Sequence, residues 1–176
     1  RLSGTTSDKP CPILATSAGF PQQASSARIA ATALEYTVDG SRLIAGTTTG
    51  FVVLDATQGY ATLQTDTSGG VLAVAVAPSG GWVALVRSGT VSVRRSSDLV
   101  EVASITSAVG FRSADFSRDG ARVALAQQQN AVRIFRAPAW NELTPLSLTG
   151  RVDAVAFRPR GVAAPPSSAK SICRCP

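Results

Sequence analysis

Residues able to do acid–base or metal chemistry are few in this sequence, and none sits in a pattern that would let it act. There is no histidine among the 176 residues. That removes the commonest general base and the commonest metal ligand near neutral pH. Cys11 stands alone near one end, and Cys173 and Cys175 form a CxC near the other. Three thiols without histidine do not complete a tetrahedral zinc set, so they read as free thiols in loose ends. Asp98 and Glu101 are close in sequence but belong to a loop and a strand start. Asp115 and Asp119 straddle a strand end, and Asp119 has the place of a turn residue. Serines and threonines are plentiful, yet none has an evident activating base. No P-loop, GxGxxG or GxSxG is present. The expectation is a protein without catalytic residues, cofactor or metal.

Binding chemistry remains. The net charge of +6 suggests nucleic acid. Its location argues otherwise. Arg158, Arg160, Lys170 and Arg174 lie in a Pro/Ser-rich tail without acids, and residues 1–157 hold thirteen basic against eleven acidic side chains. A solvated tail is expected, not a cationic stripe, so neither nucleic acid nor membrane is an expected partner. An apolar share of 44% and a charged share of 16% describe a globular chain. No apolar run approaches the ~20 residues that cross a bilayer. The expected location is the cytoplasm.

The elements that would hold a binding surface are set by a repeat. Four alternating stretches end at a turn glycine: LEYTVDG at Gly40, VAVAPSG at Gly80, ADFSRDG at Gly120 and VAFRPRG at Gly161. The spacings are 40, 40 and 41 residues. After each of the first three turns comes a short apolar strand: 41–46, 81–86 and 121–126. A third strand follows at 51–55, 90–94 and 131–135, and a fourth at 61–66, 101–106 and 143–148. Four strands per unit of about 40 residues is the signature of a β-propeller blade. One such sheet cannot bury both faces, and stacking copies around an axis does. Ala73, Ala75, Ala77, Ala124 and Ala126 suit strands crowded near that axis. A β-sandwich also has short strands and regular turns, but does not require this copied order.

The expected fold is therefore all-β: a partial β-propeller of three four-stranded antiparallel blades plus the first strand of a fourth. The blades span residues 32–161, after a polar segment 1–31 and before a basic Pro/Ser-rich tail 162–176. The fourth unit begins at 151–157, but VAAPPSS follows Gly161, and its prolines would delete ladder donors. Three blades leave an open arc where about four to eight close a ring. With no methionine in the chain, the expectation is a piece of a larger propeller protein.

Propellers bind through rim loops on a rigid scaffold. One rim gathers the loops before each first strand and those between second and third strands. It holds Thr47, Thr48, Thr49, Arg87, Gln127, Gln128, Gln129, Phe111, Arg112 and Arg151. Arginine and aromatic residues tend to anchor interfaces. Arg87, Phe111, Arg112, Gln128 and Arg151 are the expected partner-binding residues. Trp82 is expected to pack, and Trp140, in RAPAWNEL, to staple a blade edge.

The grammar FSRDG…VALA…VRIF resembles the WD-repeat superfamily. Its hallmark dipeptides are missing: the third strands end Leu54-Asp55, Arg94-Arg95 and Phe135-Arg136 where Trp-Asp is usual, and Gly-His is impossible without histidine. The blades are accordingly expected to rely on apolar packing alone. Within the superfamily, residues 71–93 and 113–135 resemble the second propeller of the actin-interacting protein 1 family. That resemblance implies a scaffold that binds actin filaments bearing cofilin and promotes their disassembly. Other readings are a scaffold in a ubiquitin-ligase or trafficking complex, and an enzymatic propeller with a channel metal. The last would need acids or histidine at inner strand ends that are largely Ala, Val and Thr.

Overall fold

The computed structural model describes residues 29–158. The cysteines, the segment VAAPPSS, the tail 162–176 and nearly all of segment 1–31 lie outside the described residues.

Three antiparallel sheets follow one another along the chain. The first runs β1 (Ala31–Tyr36), β2 (Arg42–Thr47), β3 (Phe51–Asp55) and β4 (Ala61–Asp66), in that order. The second runs β5 (Ala73–Val76), β6 (Trp82–Val86), β7 (Thr90–Arg95) and β8 (Glu101–Thr106). The third runs β9 (Phe111–Phe116), β10 (Arg122–Gln127) and β11 (Ala131–Arg136). Its outer strand is in two short pieces, β12 (Asn141–Glu142) and β13 (Leu146–Ser147), both paired to β11. Sequence alternation predicts one strand over 143–148. Pro145 has no N–H for a ladder, and the break falls around it.

The turn glycines are equivalent. Gly40, Gly80 and Gly120 have φ of 69°, 80° and 67°. In each turn the glycine N–H donates to the residue three back: Thr37, Ala77 and Ser117. These are left-handed positions that glycine occupies without a Cβ penalty. The expected copied unit is what the chain builds.

Two-residue alternation decides what each face touches. In the middle sheet Val83 and Leu85 pack with Ile44, Phe51 and Val53 of the first sheet. Ala84 and Val86 pack the other way, with Phe111, Phe116, Val123 and Leu125 of the third. All four middle-strand residues are buried on both sides of one sheet. A sandwich buries only one face of each sheet, so this arrangement is a blade between blades.

The fourth unit begins as expected. Val152 is buried against Ala124, Ala126 and Val132, with Val155 and Phe157 packed beside it. The Phe157 N–H donates to the Asp115 carboxylate. Segment 151–157 has no strand of its own unit to pair with among the described residues, and it forms no ladder.

Packing is not apolar alone, and here the expectation from the missing hallmark residues is corrected. Ser92, 1% exposed, donates to Glu101 Oε2 at 2.6 Å, and Arg94 Nε donates to Ser92 Oγ at 3.1 Å. Arg94 also donates to the Leu99 carbonyl at 3.0 Å and lies 5.1 Å from the centre of the Phe51 ring. A guanidinium has five donors and a flat face, so this one side chain links the first and second blades.

Candidate functional site

One rim is built from the turns 47–50, 87–89 and 127–130 and the links 67–70, 107–110 and 148–150. Backbone hydrogen bonds bind them into a continuous edge. Gly69 N–H donates to Thr49 O, Val71 to Thr47 O, Phe111 to Ser88 O, Gln128 to Gly110 O and Leu148 to Asn130 O. Gly110, at φ 76°, allows one of these approaches: a Cβ there would lie 2.6 Å from Ser88 O. Each turn is thus pinned to the neighbouring link and cannot move by itself.

The expected binding residues take three different roles on this edge. Arg87 is a clamp. Its Nε donates to Gly69 O at 3.1 Å, its NH2 to Ser68 Oγ at 2.9 Å, and it pairs with Asp66 at 3.5 Å. Burial pushes the Asp66 carboxyl up; hydrogen bonds from Ser68 and the charges of Arg87 and Arg94 outweigh it and leave its pKa lowered. Phe111 is core. It is fully buried, so the expectation of a rim contact is corrected: its ring faces inward between the second and third blades. Gln128 is half-buried beside Gly110.

Arg112 and Arg151 are brought together. Asp153 joins them, 2.6 Å from Arg151 Nε and 3.5 Å from Arg112 Nε. The Arg151 side chain is 58% exposed. Elsewhere along the edge Thr48, Thr49, Ser88, Gln129 and Asn130 are exposed. The surface is polar, rich in hydrogen-bond donors and cationic at one end.

Sequence reasoning missed three residues that shape this rim. Asp66 is the acid that the Arg87 and Arg94 guanidiniums share. Ser107 accepts from Gln127 Nε2 at 2.8 Å. Arg133 donates to Thr106 O at 3.0 Å and forms a two-pronged pair with Glu142 at 2.7 and 2.6 Å. Those bonds hold the Arg133 pKa up and that of Glu142 down. The available signal was positional: Asp66 and Thr106 end the fourth strands of consecutive copies.

The acids singled out in the sequence take structural partners among the described residues. Asp98 pairs with Arg95, and Glu101 with Arg94 and Ser92. Asp119 accepts from Ser117 Oγ and the Ala121 N–H, the turn role expected for it. Among the described residues no group of three or more cysteine or carboxylate side chains could hold a metal. No helix among them is long and apolar enough to cross a membrane.

Comparison with known proteins agrees with this architecture. No family model and no curated protein matches the sequence. Solved structures do. The WD40 repeats of RRP9 align with a TM-score of 0.66 at 16% identity, over 74% of this chain and 42% of theirs. U3-55K gives 0.66 at 15% identity, over 74% and 43%. Hydrazine synthase of Kuenenia stuttgartiensis gives 0.63 at 17%, over 77% and 42%. The chain spans about two fifths of the length of these structures. At such identities the likeness shows the fold: blades of the WD-repeat propeller type. An enzyme is among the three, and the fold by itself assigns no activity.

Proposed function

We propose that this chain is part of a non-enzymatic platform for protein partners, acting in the cytoplasm. One observation carries the reading. The rim that gathers Arg112, Gln128 and Arg151 is made of loops pinned by backbone bonds and arginine clamps. A preordered polar edge loses little conformational freedom on binding, which favours affinity. The WD40 neighbours support the same reading as folds of this type.

Within that reading the first partner to test is the actin filament bearing cofilin. The support is the resemblance of residues 71–93 and 113–135 to the actin-interacting protein 1 family. Co-sedimentation of the full-length protein with filaments, with and without cofilin, tests it. Cofilin-dependent binding weakened at least about fivefold by Arg112→Glu with Arg151→Glu is expected, each exposed charge reversal acting mainly on encounter and rim contacts. Absence of cofilin-dependent binding removes this partner. The platform itself is tested by recovering partners of the full-length protein from cells. If the double variant recovers the same proteins in the same amounts, this rim is not the binding edge.

A further inference from the structure

The opposite rim carries a charge pattern that the platform reading leaves unexplained. Of the described arginines, Arg87, Arg94, Arg95, Arg112, Arg133 and Arg151 each have a carboxylate within 4.0 Å. Arg118, Arg122, Arg136 and Arg158 have none among the described residues, and all four are exposed. Three of them line one open cleft of about 530 Å³, together with Ser117, Asp119 and Phe157. The fourth, Arg136, stands directly opposite Arg122 across the β10–β11 ladder.

That cross-strand pair is the informative feature. Directly opposed residues of antiparallel strands point to the same face, and like charges there are destabilising. The first blade shows the ordinary solution at the same place. Arg42 is opposed by Asp55, and its guanidinium donates to the Ser97 carbonyl of the next blade at 2.8 Å. The third blade has arginine on both strands. It adds Arg118 in the turn and Arg158 at the entry to the next unit. The acid in the cleft, Asp119, accepts from Ser117 Oγ and the Ala121 N–H, and its pKa is lowered by those bonds, so it stays ionised. Three guanidiniums and the Asp119 carboxylate line the hollow, with Arg136 beside Arg122 and the Asp115 carboxylate on the Phe157 N–H; four arginines against two acids leave a positive excess around a space large enough for an anionic group.

We propose that this cleft binds a phosphate monoester carried by a protein partner, with Arg122 and Arg136 as the principal ligands and Arg118 and Arg158 closing over it. Guanidinium forks match phosphate oxygens two by two, and a dianion relieves the Arg122–Arg136 repulsion that the fold otherwise bears. Phe157 supplies an apolar wall for the side chain that bears the phosphate. Nucleic acid fits less well. It would need a row of cations spaced along a backbone. The other described arginines, apart from Arg42 on its carbonyls, are paired with acids, so among the described residues the positive excess is one compact cluster. The site is on the rim away from Arg112 and Arg151 and does not depend on the partner proposed for that edge.

The test is fluorescence anisotropy with the full-length protein and three probes: a neutral-sequence peptide bearing phosphoserine, the same peptide unmodified, and single-stranded RNA. Thermal melting with and without inorganic phosphate accompanies it. The expected result is phosphopeptide binding at least about tenfold tighter than that of the unmodified peptide. Arg122→Gln with Arg136→Gln should weaken it by about tenfold or more, the scale of losing charge-assisted hydrogen bonds. The same variant should melt no lower than the parent without phosphate, since a like-charge pair is removed, and should lose the upward shift phosphate gives the parent. Arg118→Gln, in an exposed turn, is a second variant that keeps the fold and should weaken binding less. Equal binding of the two peptides, tighter binding of the RNA, no phosphopeptide binding, or indifference to both variants would each overturn the proposal.

Discussion

The two junctions between blades have the same geometry and different chemistry. Between the first and second blades the apolar contact is modest, built on Ile44, Phe51, Val53, Val83, Leu85 and Leu99. Arginines supplement it: Arg94 over Phe51, Arg87 and Arg94 on Asp66, Arg42 on the Ser97 carbonyl. Between the second and third blades aromatic rings dominate. Trp140 meets Trp82 edge-on at 5.3 Å and Phe116 at 6.4 Å, with Phe111 and Phe135 in the same cluster. Arg133 adds one clamp at the rim. The fold requires that each sheet lose its apolar face to its neighbour. It does not require any particular side chain to do so, and so the blades form with Leu54-Asp55, Arg94-Arg95 and Phe135-Arg136 at the ends of their third strands.

A repeated device makes the comparison testable. The turn between third and fourth strands places one large residue at positive φ in every blade: Tyr60 at 62°, Leu99 at 57° and Trp140 at 54°. Leu99 and Trp140 fold back onto the preceding blade and are 3% and 8% exposed; Tyr60 has no such blade among the described residues and is 44% exposed. Truncation to alanine should therefore be graded. Trp140→Ala should cost about 3–5 kcal/mol and Leu99→Ala about 2–4, with Tyr60→Ala within about 0.5. Denaturant midpoints at constant slope measure this. Trp140→Phe sharpens it. The indole Nε1 is buried without an acceptor among the described residues, so the phenyl ring keeps much of the contact and removes an unpaired donor. Equal losses at positions 60, 99 and 140 would break the picture of staples acting on the preceding blade.

The turn glycines give a smaller contrast. Both Gly40 and Gly120 are at positive φ, and alanine there is strained by about 1–2 kcal/mol. At Gly40 nothing else lies within 4 Å of an added Cβ; at Gly120 the Ser79 hydroxyl would lie at 2.0 Å. Gly120→Ala should thus cost at least about 1 kcal/mol more than Gly40→Ala, because Ser79 must also give way. Gly120→Ala combined with Ser79→Ala should recover most of that difference. If the two single variants are equally stable, the third blade does not sit as close to the second as this contact requires.

At the ionic junction the expected effect is smaller again. Asp66→Asn removes the carboxylate shared by Arg87 and Arg94, at a site about one fifth exposed. The loss should be about 1 kcal/mol or less and should shrink in high salt, as for other partly solvated pairs. Trp140→Ala should keep its full cost in salt. A salt-independent Asp66→Asn would mean that the carboxylate acts through its bonds to Ser68 and not through the arginines.

The parts of this fold legible in the sequence are those that follow from backbone geometry. Alternation and glycine spacing gave the strands nearly residue for residue, since φ > 0 at Gly40, Gly80 and Gly120 admits few alternatives. The split of the outer strand at Pro145 was missed because neighbouring alternation outweighed one proline. Among the candidate site residues, Arg112 and Arg151 do meet, but Phe111 does not reach the surface. Position along the chain places a residue at a rim; whether it points outward depends on pleat phase and on what the neighbouring blade presents. The clamps were illegible for the same reason. Arg94 and Arg133 occupy different places in their strands, and only the stacking of blades brings Arg94 to the Phe51 ring of the first blade and Arg133 to the Thr106 carbonyl of the second.

The smallest expected effect concerns the glycine turns and acid. In the first and third blades the turn is closed by a hydroxyl and a carboxylate: Thr37 with Asp39, Ser117 with Asp119. Hydrogen bonds from Thr37 and Ser41 lower Asp39 to about 2, and those from Ser117 and Ala121 lower Asp119. The middle blade has Ala77 and Ser79 in those places and no carboxylate. A carboxyl whose pKa is lower folded than unfolded binds its proton more tightly in the unfolded chain. Its stabilisation is complete above the ordinary value near 3.8 and fades as pH falls toward about 2. Stability measured from pH 5 down to 2 should therefore decline, and Asp39→Asn with Asp119→Asn should flatten the decline while lowering stability at pH 7. Ser79→Asp places a carboxylate in the middle turn with the Gly81 N–H but without the hydroxyl that Thr37 and Ser117 supply, so it should steepen the curve only slightly. Adding Ala77→Thr supplies that hydroxyl and should steepen it further. A double-asparagine variant with the parent's acid slope would show that these bonds form equally in the unfolded chain, and that the three turns differ in sequence without differing in energy.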